Sequence, residues 1–144
     1  MKFLIGILFL LLQDFGANTV TIQKYYDVLD TGTLEQVNNC LSETLASAKK
    51  GALLMKKASL VRKPGDKLKV FKEGSKLLEA EIAKLPKKIE YRFLRLIIQE
   101  NCPKFLNYSK NIEEDKKIVE KGYYSTSPSL KKIIKDYLEK SQAK

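Results

Sequence analysis

Apolar residues recur at steps of three and four from Ile22 to Leu138, and no run alternates with period two over the length of a strand. Such spacing puts the apolar side chains on one side of a helix, whereas strands need a period of two. The chain is therefore expected to be all-α.

Breakers divide the pattern. Ile22, Tyr25, Tyr26 and Leu29 form a first stripe, and "DTGT" at 30–33 ends it. Thr33 and Gln36 have the spacing of a capping box for the next helix, whose stripe is Leu34, Val37, Leu41 and Leu45. "KKGALLMKKASLV" at 49–61 follows, its start unmarked. "RKPGD" at 62–66 then signals a turn, with Asp66 as the expected N-cap. The stripe Leu68, Phe71, Ser75, Leu78, Ile82 predicts a helix over 66–84. Gly74 lies beside that stripe, as either a close helix approach or a tolerated cost of about 1 kcal/mol relative to alanine.

"KLPKK" leads into "EYRFLRLIIQENCP", the most apolar segment of the main body. Pro103 disfavours helix at Cys102 but suits a first helical position, so a new helix is expected from 103 to 121. It carries Phe105, Tyr108, Ile112 and Val119 on one side, with Gly122 as its C′ residue. Ser127 and Pro128 mark the start of a last helix over 127–142.

Short connections between such helices imply antiparallel pairs: 20–30 with 33–47, 48–61 with 66–84, 88–101 with 103–121, and 127–142 as a cap. "ALLMKKA" at 52–58 and "RFLRLII" at 92–98 occupy similar places forty residues apart, as do "KVFKEGSKLLE" at 69–79 and "KFLNYSKNIEE" at 104–114 thirty-five apart. Over residues 48–121 the chain resembles the tetratricopeptide-type solenoids, with Gly74, Leu78 and Pro86 at positions of the second helix and turn, and Phe93 and Ile97 at large positions of the next first helix. The family's tryptophan and first-helix small residue are replaced by Glu90 and Leu94. The resemblance implies about six helices stacked as a TPR-like helical repeat, a scaffold for protein–protein interaction.

The first residues obey another rule. Lys2 precedes ten apolar residues, Phe3 to Leu12, which as a helix span only about 15 Å, half of a bilayer's hydrocarbon core. Residues 1–17 are read as a secretory signal peptide, with small residues Gly16 and Ala17 before the expected cleavage point. Residues 18–144 then form a single domain, exported to a periplasm or secreted. The leader, with "GALLMKK" and "EYRFLRLIIQEN", also resembles small exported proteins of Bacteroidota.

Export would expose Cys40 and Cys102 to oxidising conditions, where a disulfide would close a loop worth about 3–4 kcal/mol. Two separate buried thiols are the alternative, since nothing in the sequence brings the positions together.

The chain contains no histidine, which removes the commonest general base and the favoured zinc ligand. No nucleophile motif or glycine-rich phosphate loop accompanies its serines and tyrosines. A non-enzymatic protein with neither cofactor nor metal is expected. Residues 49–144 hold 25 basic and 12 acidic residues, which favours anionic partners through long-range attraction. No nucleic-acid recognition motif accompanies the charge.

Arg92, Arg95 and Gln99 stand in a row at i, i+3, i+7 on the most apolar segment. Guanidinium groups grip carboxylates through paired hydrogen bonds, so this row, with Tyr108, is the candidate binding surface for an acidic protein or peptide within residues 88–121. The alternative is the solvated edge of a central helix. "NIEEDKK" at 111–117 reads as a solvated helix face, because consecutive helical carboxylates diverge by about 100°. A second function class is electrostatic binding to an anionic membrane surface or polymer through the lysine-rich body.

Overall fold

The computed structural model describes residues 20–143. The expected signal segment, 1–17, lies outside the described residues. Among them the fold is all-α, with seven α-helices, two short 3-10 turns and no strand.

Helices α1 (Ile22–Thr31) and α2 (Leu34–Ser42) form the first pair. The Thr33 hydroxyl accepts from the Gln36 amide, and the Gln36 side chain returns to the Thr33 amide at 2.9 Å, which completes the capping box. α2 stops at Ser42, short of the expected 47. Asn38, Asn39 and Ser42 are weak helix formers that compete for backbone groups, and the Ser42 hydroxyl donates to the Asn39 carbonyl at 2.6 Å.

α3 (Ser47–Leu60) and α4 (Pro64–Lys84) make the most extensive helix pair. Their backbones meet at Gly51 and Gly74. A methyl group placed on Gly51 would lie 2.7 Å from the Gly74 carbonyl oxygen, and one on Gly74 would lie 2.5 Å from the Gly51 carbonyl oxygen. Close approach is therefore the reason for Gly74, and its partner is a second glycine. α4 begins two residues before the expected 66. Pro64 takes the first helical position, where its fixed φ is pre-organised, with Lys63 as N-cap and Asp66 inside the first turn.

α5 (Ile89–Asn101) is the central helix: every residue from Tyr91 to Gln99 is buried. Burial of Phe93, Leu94, Leu96 and Ile97 contributes about 1.5–3 kcal/mol apiece. The helix expected over 103–121 is divided. A 3-10 turn (Lys104–Leu106) comes first, then Asn107 with φ 51°, and α6 (Ile112–Gly122) starts only afterwards. Asparagine tolerates the left-handed region better than most residues, and the reversal at Asn107 turns the chain back toward α5. Gly122 is the last residue of α6 rather than a residue beyond it; the space of a side chain there is filled by Ile89.

α7 (Pro128–Gln142) starts as expected, its Ser127 N-cap accepting from the Leu130 amide. It buries Leu130, Ile133 and Ile134 and packs on α1, with Lys140 paired to Asp30 at 2.9 Å. Tyr137 stacks edge-on against Phe93 of α5 and donates to Glu100. Repeats of an open solenoid touch only their neighbours. Contact between the first and last described helices departs from that pattern.

Candidate functional site

The Arg92, Arg95 and Gln99 row faces inward. All three side chains are buried and converge on Asp115 of α6, which is 0% exposed. Arg95 donates from Nε to Asp115 Oδ2 at 2.7 Å and from Nη2 to Oδ1 at 2.8 Å, the paired geometry of guanidinium on carboxylate. Arg92 donates from Nη1 to Oδ1 at 3.0 Å, and Gln99 from Nε2 to Oδ2 at 2.8 Å.

The network continues outward. Arg95 Nη1 donates to Glu79 of α4 at 2.8 Å, and the Tyr108 hydroxyl donates to the other Glu79 oxygen at 2.6 Å. Arg92 Nε reaches the Pro86 carbonyl in the α4–α5 turn at 2.8 Å, and Gln99 Oε1 accepts from the Asn111 amide at 2.9 Å. Two guanidiniums face two carboxylates, with Glu114 at the solvent edge 3.6 Å from Arg92. No buried side-chain nitrogen or oxygen among the described residues lacks a hydrogen-bond partner. Full satisfaction matters because an orphaned charge in a low-dielectric interior costs several kcal/mol.

Neither the solvated edge nor an open row of binding side chains describes these residues. Their hydrogen-bonding capacity is taken up inside the fold, where they tie α4, α5 and α6 together. Asp115, the hub, falls in the segment expected to be a solvated face. Glu113 and Glu114 are indeed exposed. Asp115 stands three residues after Ile112 and four before Val119, on the inner stripe of α6.

The titration behaviour of the network fits its burial. Desolvation alone would lower the Arg95 guanidinium, yet Asp115 and Glu79 together raise it. Burial, then donation to Glu79, raises the Tyr108 phenol above its ordinary 10.0. Tyr25 and Tyr26 are raised mainly by burial, and Tyr137 by burial and then Glu100. A raised phenol keeps its proton when folded, whereas the unfolded chain loses it near pH 10. The tyrosine contribution is thus complete below pH 10 and declines as the pH rises above it. Urea midpoints should fall across that boundary, with tyrosinate absorbance appearing together with unfolding. Tyr108→Phe should flatten the alkaline decline.

Beside this network lies an apolar groove of about 730 Å³. Met55 and Ala58 of α3, Phe71 of α4, and Ile97 and Ile98 of α5 supply its apolar surface. The 3-10 turn forms one wall with Phe105 and Leu106. Phe105 is 81% exposed and Leu68, on α4, 44% exposed. A helix running straight on from Pro103 would have carried Phe105 on its apolar side; the short turn presents it to solvent instead. Tyr108 joins network to groove, since its ring packs edge-on against Phe71 with centroids 5.5 Å apart. The buried ions therefore brace the wall that carries Phe105.

Charge at the groove is asymmetric. Asp30 is its one acidic lining residue; its carboxylate is paired with Lys140, and its carbonyl accepts from Lys56 at 2.8 Å. Lys67 and Lys72 line the α4 side, and neither forms a salt bridge with another described residue. A second depression of about 460 Å³ between α1 and α2 is lined by Lys24, Asp27 and Glu43, of both signs, and selects for neither charge.

Cys40 and Cys102 are separate thiols, so the structure does not contain the disulfide. Cys40 is buried on α2 beside the smaller depression, and Cys102 is half-buried at the end of α5, on the groove. Burial raises both thiols above the ordinary value, with Glu43 adding to the effect at Cys40 and Lys24 opposing it. No group of three or more metal-ligating side chains occurs among the described residues.

Comparison with protein-family models, with characterised proteins and with solved structures returns no match.

Proposed function

We propose that the protein is a non-catalytic helical module that binds another protein, and that its docking surface is the groove between α3, α4 and α5. One observation carries this reading: Phe105 stands 81% exposed on a braced turn at the mouth of an apolar groove. An aromatic side chain already standing in water, with few rotatable bonds, supplies contact area with little ordering cost, the property that makes aromatic residues binding anchors. Arg92, Arg95 and Asp115 satisfy one another in the core, and through Glu79 they tie α5 to α4, two of the helices that wall the groove. Lys2 followed by the run Phe3–Leu12 supports action outside the cytoplasm.

A second reading, adhesion to an anionic membrane surface, is favoured by Lys69, Lys72 and Lys76. They stand at i, i+3, i+7 on the exposed face of α4, and none forms a salt bridge with another described residue. No described helix is long and apolar enough to cross a bilayer.

Photo-crosslinking in the producing cell separates the two. A benzoylphenylalanine at position 105 is expected to give a discrete protein adduct, while the same group at Leu85, also exposed and away from the groove, gives none. Equal labelling at both sites, or lipid adducts alone, would reject the groove as a protein-docking surface.

A further inference from the structure

We infer that the groove's partner is an acidic amphipathic helix, a deepening that rests on the groove being a protein-docking surface. Length is the first argument. The α4 residues on the groove run from Pro64 to Lys72, eight steps of helix or about 12 Å. Apolar side chains at i, i+3, i+4 and i+7 of a helix span seven steps, about 10.5 Å, so one such stripe matches the α4 edge of the groove.

Charge is the second argument. A helix lying with its apolar face in the groove presents its flanking residues to both rims. On the α4 rim those residues meet Lys67 and Lys72, which have no carboxylate partner within the described fold, and beyond them Lys69 and Lys76. The opposite sign is spent, since Asp30 is held by Lys140. Carboxylates beside the apolar stripe therefore gain unopposed attraction, and a basic helix would meet like charge.

Shape is the third. Phe105 and Leu68 stand on different walls of the groove, one on the 3-10 turn and one on α4, leaving two exposed apolar edges for a rod laid between them.

Fluorescence anisotropy with the full chain and two labelled synthetic helices tests this. Both probes carry leucine at i, i+3, i+4 and i+7; one is flanked by glutamate and the other by lysine. The glutamate probe should bind at least about tenfold more tightly, which corresponds to about 1.4 kcal/mol. Phe105→Asp should abolish its binding, and Lys67→Glu with Lys72→Glu should reverse the preference; far-ultraviolet circular dichroism confirms that each variant is folded. Equal binding of both probes, lost in Phe105→Asp, would overturn the acidic partner while leaving the docking groove intact. Binding indifferent to Phe105→Asp, or no binding by either probe, would overturn the helix. Displacement of the glutamate probe by palmitate, or tight binding to phosphatidylglycerol vesicles that Phe105→Asp removes, would reassign the groove to lipid and overturn both readings.

Discussion

Asp115→Ala should cost about 3–5 kcal/mol, the loss expected when one member of a buried ion network is removed and its partners stay behind. Arg92, Arg95 and Gln99 would then point donors into a cavity with no acceptor, and only Arg95 keeps a carboxylate at hydrogen-bonding distance, through Glu79. Against a total stability of about 5–15 kcal/mol, that is a large fraction. Urea denaturation should show the midpoint falling with little change of slope. Asp115→Asn preserves shape and loses charge, and should fall between wild type and alanine. Replacing Arg92, Arg95 and Asp115 together by methionine, methionine and leucine should recover most of the loss, because well-packed apolar substitutes for buried ions are often neutral or stabilising. A triple variant as weak as Asp115→Ala would show that the network is not limited by unpaired charge. Tyr108 and Asn111 hang from the same network, so Asp115→Ala should also loosen the wall that carries Phe105.

Gly51→Ala should destabilise even though alanine is the better helix former by about 1 kcal/mol. The added methyl meets the Gly74 carbonyl oxygen at 2.7 Å and the Leu78 nitrogen at 2.9 Å, both backbone atoms that cannot swing aside. α3 and α4 must separate, and overpacking of this kind typically costs about 1–3 kcal/mol. Gly74→Ala meets the same obstacle from the other side. Gly65→Ala, where nothing lies within 4 Å, is the control and should be neutral or slightly stabilising. Thermal unfolding of the three variants ranks them. Separation of α3 from α4 also moves Met55 away from Phe71, so the glutamate-flanked probe should bind Gly51→Ala less well.

The helices were legible because their causes are local. Thr33 with Gln36, Ser127 with Pro128, and the apolar stripes of the first and last helices act within a turn or two of the chain, and the structure has each of them. The exceptions were local as well: Pro64 outranks Asp66 as a start, and Asn107 diverts a chain that Pro103 would have allowed to continue. What spacing cannot supply is the register between helices. The Arg92, Arg95, Gln99 row was visible, but its counter-charge lies twenty residues beyond Arg95, on another helix. A signal was available. Two arginines on the most apolar segment of the body demand an acid in the core, and of the three acids in "NIEEDKK" only Asp115 shares the stripe of Ile112 and Val119. The groove was less accessible still, because Phe105 and Leu68 read as core members of their stripes, and only the packed arrangement leaves them uncovered.

The contact of α7 with α1 joins residues as much as 110 positions apart. Loop-closure entropy must be met before so distant a pairing returns any stability. During synthesis the flank of α1 cannot be covered by α7 until Leu130, Ile133 and Ile134 have left the ribosome, and the clasp between Asp30 and Lys140 must wait for residue 140. A chain arrested before α7 would lack its keystone and stay open to unfolding and proteolysis.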